Sequence, residues 1–196
     1  MTDHIVFATS NTGKVKTLEG HLKIHGIDIS VSQQELDLIE PQAETALEVA
    51  RVKAEQAFDK LRQPVLVDDS SFHIHALNGF PGPYVKYMNE TVGAGGIVRF
   101  MEKQTDRKAH FLSALVFIDK KGEVHEFSVQ ESTGTIATEV RESVDGRGWS
   151  DLWKIFIPAG SDKALSQMTP EDHEQRRRRE SGKSAYDLFA EWLKNN

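Results

Sequence analysis

The run Val65-Leu-Val-Asp-Asp-Ser-Ser-Phe72, which leads into Asn78-Gly-Phe-Pro-Gly-Pro-Tyr-Val-Lys86, decides how the rest of the chain is read. Three apolar residues, two of them β-branched, follow Pro64 and precede an acidic pair, the pattern of a short buried strand. Asp68 and Asp69 are then expected at its C-terminal end. In an open α/β sheet, ligands collect at that edge, because loops vary there while strands hold them in place. Phe80-Pro-Gly-Pro-Tyr84 combines two prolines of locked φ with a glycine free to take positive φ, so a stiff turn is expected, and with it a fixed direction for Lys86. Taken alone, the stretch also fits a surface strand end with two solvated aspartates.

Upstream, Ile5-Val-Phe-Ala8 reads as a first strand, Thr9-Ser-Asn-Thr-Gly-Lys14 as a turn of small polar residues, and Val15, Leu18 and Leu22 as one face of a helix. Such a helix start aims N–H groups and the positive end of the dipole over the turn. With the Lys14 ammonium and the Asn11 amide added, the turn suits phosphate oxygens. Its spacing is not that of a P-loop, and a plainly N-capped helix fits as well. Asp28 to Ser32 alternates as a second strand, and Leu36 to Ile39 reads as extended, leading to Glu40, Glu44 and Glu48. Leu47, Ala50, Ala54, Ala57 or Phe58, and Leu61 then mark a helix that ends before Pro64, its first turn acidic as the dipole prefers.

Downstream, Gly93-Ala-Gly-Gly96 is expected to interrupt the chain ahead of a short helix with the apolar face Ile97, Phe100 and Met101. Ala109 to Ile118 and Glu123 to Gln130 read as a hairpin joined at Asp119-Lys-Lys-Gly122, with Gly134-Thr-Ile136 starting a further strand. Gly146-Arg-Gly-Trp149 is a glycine-rich loop carrying an aromatic. A last helix is expected from Thr169, with Pro170 at its first position, burying Ala185, Leu188, Phe189, Trp192 and Leu193. The run Arg176-Arg-Arg-Arg179 lies on it. Four successive helical residues spread over more than one face, so most of them read as a solvated run balanced by Glu171, Asp172, Glu174 and Glu180. His73 and His75 read as polar strand residues. The whole pattern is that of a mixed sheet with flanking helices.

At 196 residues the chain fits one domain, 1–196, or two small lobes. The absence of cysteine excludes disulfides, thiolate zinc sites and a cysteine nucleophile, and makes the cytoplasm the simplest compartment. Neither a secretory signal nor an apolar run of the ~18 residues that span a bilayer is visible, so no membrane partner is expected. A net charge of −6 argues against binding nucleic acid through a general basic surface.

With Thr9-x-Asn11-x-x-Lys14 after the first strand, Asp68-Asp69-Ser70, and Gly79-Phe-Pro-Gly-Pro-Tyr-Val-Lys86 in that order, the chain resembles the inosine/xanthosine triphosphate pyrophosphatase family. The match continues through Gly134-Thr-Ile136, Gly148-Trp149, Phe156-Ile-Pro158 and Leu165-Ser-Gln-Met168. The resemblance implies an elongated mixed α/β structure of two lobes around a cleft, a homodimer, and Mg²⁺-assisted cleavage of noncanonical purine nucleoside triphosphates such as ITP, dITP or XTP to a monophosphate and pyrophosphate. It implies Asp68, Asp69 and Glu40 as metal ligands, with Glu44 an alternative to Glu40 if the alignment takes a small gap. Asp69 would also activate water, and Lys14 and Lys86 would neutralise charge on the leaving pyrophosphate. Thr9, Ser10, Asn11 and Ser70 would bind substrate beside them.

The base-reading end departs from the family. Arg147 stands where a stacking aromatic is expected beside Trp149, and the aspartate is shifted to Asp151 or replaced by Ser150. The family's Ser-His-Arg triplet falls on Arg177-Arg-Arg179 by counting from Met168, or on Glu180-Ser-Gly182 by counting back from Phe189. Arg178 or Arg179 is a substitute, since a guanidinium can stack on a base or donate to an oxo group. The alternative is a nucleotide-binding protein that has lost turnover or changed its base preference.

Overall fold

Ile5, Val6, Phe7 and Ala8 are all buried, as a strand covered on both faces requires. They form β1 (His4–Ala8), the start of a chain that continues α1 (Thr12–Ile24), β2 (Ser30–Gln34), α2 (Ala46–Leu61), β3 (Val65–Ile74), β4 (Pro81–Gly82), α3 (Val85–Thr91), α4 (Gly93–Phe100), β5 (Lys108–Ile118), β6 (Val124–Ile136), β7 (Phe156–Pro158), α5 (Pro170–Glu180) and α6 (Ala185–Asn195). The computed structural model describes residues 3–143, 150–180 and 184–196. The strands form a mixed sheet in the order β2-β1-β3-β5-β6-β7, with β4 added to β3. β1 runs parallel to β2 and β3, whereas β4 on β3 and β7 on β6 are antiparallel. Among the described residues no helix is long and apolar enough to cross a membrane.

Two compact units divide the chain: Met1–Ser70 with Ser113–Val129 and Gly182–Asn196, and Ser71–Leu112 with Gln130–Ser181. In the first, Ile5, Phe7, Leu66, Leu115 and Phe117 of the sheet pack with Leu18 and Leu22 of α1 and with Ala185, Phe189 and Ala190 of α6. α2 opens on a capping box between Thr45 and Glu48, and its buried stripe is Val49, Ala50, Ala54 and Ala57. α6 opens on a second capping box, between Ser184 and Asp187. Asp187 also receives His21 Nδ1 at 2.8 Å and His25 Nε2 at 3.1 Å, both from α1. The Ser184 and imidazole hydrogen bonds hold its carboxyl well below the ordinary range, against the opposing effect of burial.

The second unit has its own core, in which Phe72, Phe111 and Phe156 form an aromatic trio around Ile97, Met101 and Ile136. Gly134 of β6 faces β7 so closely that a Cβ there would lie 2.2 Å from the Ile157 carbonyl oxygen and 2.7 Å from the Phe156 ring. Gly134→Ala is therefore expected to destabilise the fold by about 3 kcal/mol, measurable in denaturant unfolding, because backbone cannot yield as a flexible side chain does. Unchanged stability would mean that β7 shifts freely.

Several expectations need correction. β3 does not end at the acidic pair; it runs on to Ile74, because β4 pairs with it at Phe72 and His73. β2 begins two residues later than Asp28, at Ser30. The glycines of 93–96 do not precede a helix but open α4, and Phe100 on it is exposed. Gly134 to Ile136 closes β6 instead of starting a strand, and His75 has left β3 for a short 3-10 turn. The single last helix is two, α5 and α6, since Ser184 caps a new start, and Leu188 is exposed on α6.

Candidate functional site

The turn after β1 is organised by Asn11. Its side-chain oxygen accepts from the N–H groups of Gly13 (2.8 Å) and Lys14 (3.3 Å), and its own N–H donates to Thr9 Oγ1 at 3.1 Å. The first donors of α1 are thus satisfied by the chain itself, as in an ordinary N-cap. Ser10 is exposed.

β3 carries the acids past the end of β1, whose parallel pairing places Val6 opposite Val65 and Phe7 opposite Leu66. Successive residues of a strand face opposite ways. Asp68, in step with Leu66, is buried, and its Oδ1 lies 2.8 Å from Lys14 Nζ; the Tyr186 hydroxyl of α6 donates to its Oδ2. Lys14 also reaches the Asp68 carbonyl, at 3.4 Å. Asp69 meets a different set. Its Oδ1 accepts the Ser70 N–H at 2.8 Å, and its Oδ2 lies 3.8 Å from Lys53 Nζ, which donates to Glu40 Oε1 at 2.8 Å.

Charge follows the same split. Burial pushes the Asp69 carboxyl above its ordinary value, outweighing Lys53, the Ser70 N–H and Lys14, with Glu40 adding repulsion. Burial acts the other way on Lys14, but the charge and hydrogen bond of Asp68, backed by Asp69 and Glu40, keep its ammonium above 10.5. A partly desolvated carboxylate beside a second one, with cations near, is what a general base or an oxygen ligand needs. Glu40, Asp68 and Asp69 offer hard oxygen donors only, the kind that Mg²⁺ takes, and a further positive charge would relieve the raised Asp69.

Glu40 belongs to this cluster, while the Glu44 N–H donates to Glu48 at the start of α2. Lys53 and Tyr186 were not picked out from the sequence as site residues. Both had a signal: Lys53 lies three residues after Ala50 and four before Ala57, inside a buried stripe, and Tyr186 sits on the apolar face of α6 with Phe189 and Ala190. A separate trio, Asp119, Glu123 and His125, brings its ligand-type atoms within 4.8 Å of one another at the β5–β6 hairpin. There Asp119 Oδ1 accepts the N–H groups of Lys121 and Glu123, which makes the turn.

The remaining expected site residues belong to the second unit. Lys86 is exposed, the second residue of α3. Asp151 is exposed and pairs with Lys154 Nζ at 3.4 Å. The arginine run does spread: Arg176 Nη1 donates to Ser132 Oγ at 2.7 Å, Arg178 Nε pairs with Glu174 at 3.1 Å, and Arg179 lies beside Gly160, where a Cβ would come within 3.2 Å of its Nη1. Gly160, Lys163, Asp172 and Arg179 line a polar cavity of about 560 Å³. Trp149 and Arg147 lie outside the described residues.

Comparison with known proteins shows the family of the chain. The model of the Ham1 family matches residues 5–190. A dITP/XTP pyrophosphatase of Methanopyrus kandleri is 37% identical over 192 residues, 98% of this chain and 97% of that protein. One of Pyrococcus horikoshii is 38% identical over 193 residues, again 98% of this chain and 97% of the other. The solved structure of the Staphylococcus aureus Ham1 protein superposes with a TM-score of 0.78 at 25% identity, covering 98% of each chain. The chain belongs to the Ham1 family.

Proposed function

We propose that the protein is a nucleoside triphosphate pyrophosphatase acting on noncanonical purine nucleotides such as dITP, ITP and XTP. The observation that carries this reading is the cluster Lys14, Glu40, Lys53, Asp68 and Asp69 on β3 and its neighbours, in a chain similar over nearly its whole length to dITP/XTP pyrophosphatases. In the reaction, water oxygen bonds to the α-phosphorus, the bond from that phosphorus to the bridging oxygen breaks, and pyrophosphate leaves. Asp69 takes the water proton, a role its raised affinity for protons suits. Lys14 stabilises negative charge as it builds on the phosphate oxygens, and Lys86 is assigned the same task from its place in the Gly79–Lys86 motif. Mg²⁺ held by Glu40, Asp68 and Asp69 would supply Lewis-acid polarisation of a triphosphate that carries about four negative charges. Thr9, Ser10, Asn11 and Ser70 would contribute polar contacts, and Trp149, Asp151, Arg178 and Arg179 the base contacts. The active species is proposed to be a cytoplasmic homodimer.

Base preference is the point at which this chain is expected to differ from its family. Arg147 replaces an aromatic, and neither alignment restores Ser-His-Arg, so the polar partners that discriminate bases are altered. Turnover of dITP, ITP, XTP and the four standard dNTPs, with pyrophosphate measured directly, tests both points. Pyrophosphate from at least one inosine or xanthosine nucleotide is expected, with a preference over dATP and dGTP narrower than about 10²-fold. Orthophosphate as the product defeats the reaction assignment, and nucleotide binding without turnover defeats the enzyme reading.

A further inference from the structure

We propose that Tyr186 is a positioning residue of the phosphate site: by donating its hydroxyl to Asp68 Oδ2 it commits Oδ1 to Lys14, and so fixes where the Lys14 ammonium stands. The inference rests on the role given to Lys14 above. A buried carboxylate with one donor can turn about its Cβ–Cγ bond and carry that donor with it. Two donors on opposite oxygens leave one orientation. Asp68 has this arrangement, with Lys14 Nζ at 2.8 Å from Oδ1 and the Tyr186 hydroxyl on Oδ2.

The tyrosine is itself held. Ser184 and Asp187 cap the start of α6, and Asp187 accepts from His21 and His25 of α1, the helix that also carries Lys14. The His21 ring stacks on the Tyr186 ring with centroids 5.6 Å apart and an interplanar angle of 19°. The two helices that supply the donors are therefore tied together independently of Asp68. A buried tyrosine hydroxyl needs some acceptor, and a backbone carbonyl would serve packing equally well. Here the acceptor is the carboxylate that holds the lysine.

The test uses Tyr186→Phe and Asp68→Asn, singly and together, in the full chain. Phenylalanine keeps the ring and removes the hydroxyl. Tyr186→Phe is expected to lower kcat about tenfold with KM within about twofold, the signature of a misplaced group and not of lost binding. In the Asp68→Asn background it should add nothing to the loss in kcat, and the two substitutions should be non-additive in unfolding of the nucleotide-free protein. If Asp68→Asn does not fold, Lys14→Met replaces it in the cycle. A wild-type kcat in Tyr186→Phe, whatever its melting temperature, overturns the proposal, as do additive effects in the cycle. Should the wild-type protein release orthophosphate, the assigned reaction fails separately, and the unfolding cycle alone decides the hydrogen bond: coupling supports it and additivity removes it.

Discussion

Replacing Asp69 with asparagine is expected to lower kcat about 10³-fold while leaving the melting temperature at neutral pH unchanged or slightly higher. The two halves of this result have one origin. Burial raises the Asp69 carboxyl above its unfolded value of 3.8, so the folded state holds that proton more tightly than the unfolded chain does. Its contribution to stability is greatest below 3.8 and is lost as pH rises toward the folded value; at neutral pH the ionised group is a burden that asparagine removes. In the proposed reaction that burden has a use, because a carboxylate with raised proton affinity is a better acceptor for the proton of attacking water. Pyrophosphate release and a thermal melt on the same preparation check both halves. Turnover within tenfold of wild type would take Asp69 out of the mechanism, and a large drop in melting temperature would make it a structural residue.

Lys14→Ala is expected to fail in both respects. Transition-state stabilisation should fall by about 3 kcal/mol, roughly 10²-fold in kcat/KM, as for other fixed electrostatic groups. Stability should fall as well, by about 2 to 3 kcal/mol, because the Asp68 side chain, only 4% exposed, loses its ion partner. The figure sits below that for a fully buried pair because the Lys14 side chain is 29% exposed. Lys14 has its pKa raised above 10.5, so its stabilising contribution is complete below 10.5 and disappears as pH climbs through the folded value. The stability gap between wild type and Lys14→Met should therefore close in strongly alkaline solution, as urea midpoints at pH 8 and above 11 would show. Wild-type kcat/KM in Lys14→Ala would return Lys14 to the surface residues.

The βα start and the acidic strand were legible because hydrophobic period and small polar turn residues act locally. Val65-Leu-Val67 reads as a strand on its own merits. Its continuation through Ser70 and Ser71 to Ile74 did not read, since polar residues are poor strand formers and only β4 and the core around Phe72 supply the reason to stay extended. The division between α5 and α6 does have a local signal, Ser181, Gly182 and the Ser184–Asp187 capping box, but the helix formers on either side mask it unless Ser184 and Asp187 are read as a pair. Site residues with motif neighbours, such as Lys14, could be found by spacing. Lys53 and Tyr186 carry only the weaker signal of a polar group set within an apolar helical face, because the partner that gives each its place lies on a distant segment of chain.

Two carboxylates that are neighbours in the chain have ended up in unlike settings, one locked by a lysine and a phenol, the other pushed by burial toward its protonated form. What separates them is parity along an extended backbone. Deleting a single residue between Val65 and Asp68 would turn Asp69 toward Lys14 and leave Ser70 where Asp69 stood, and inserting one would move Asp68 into the place of Asp69 and leave no aspartate facing Lys14, which makes the length of this segment as much a part of the chemistry as the identity of its acids.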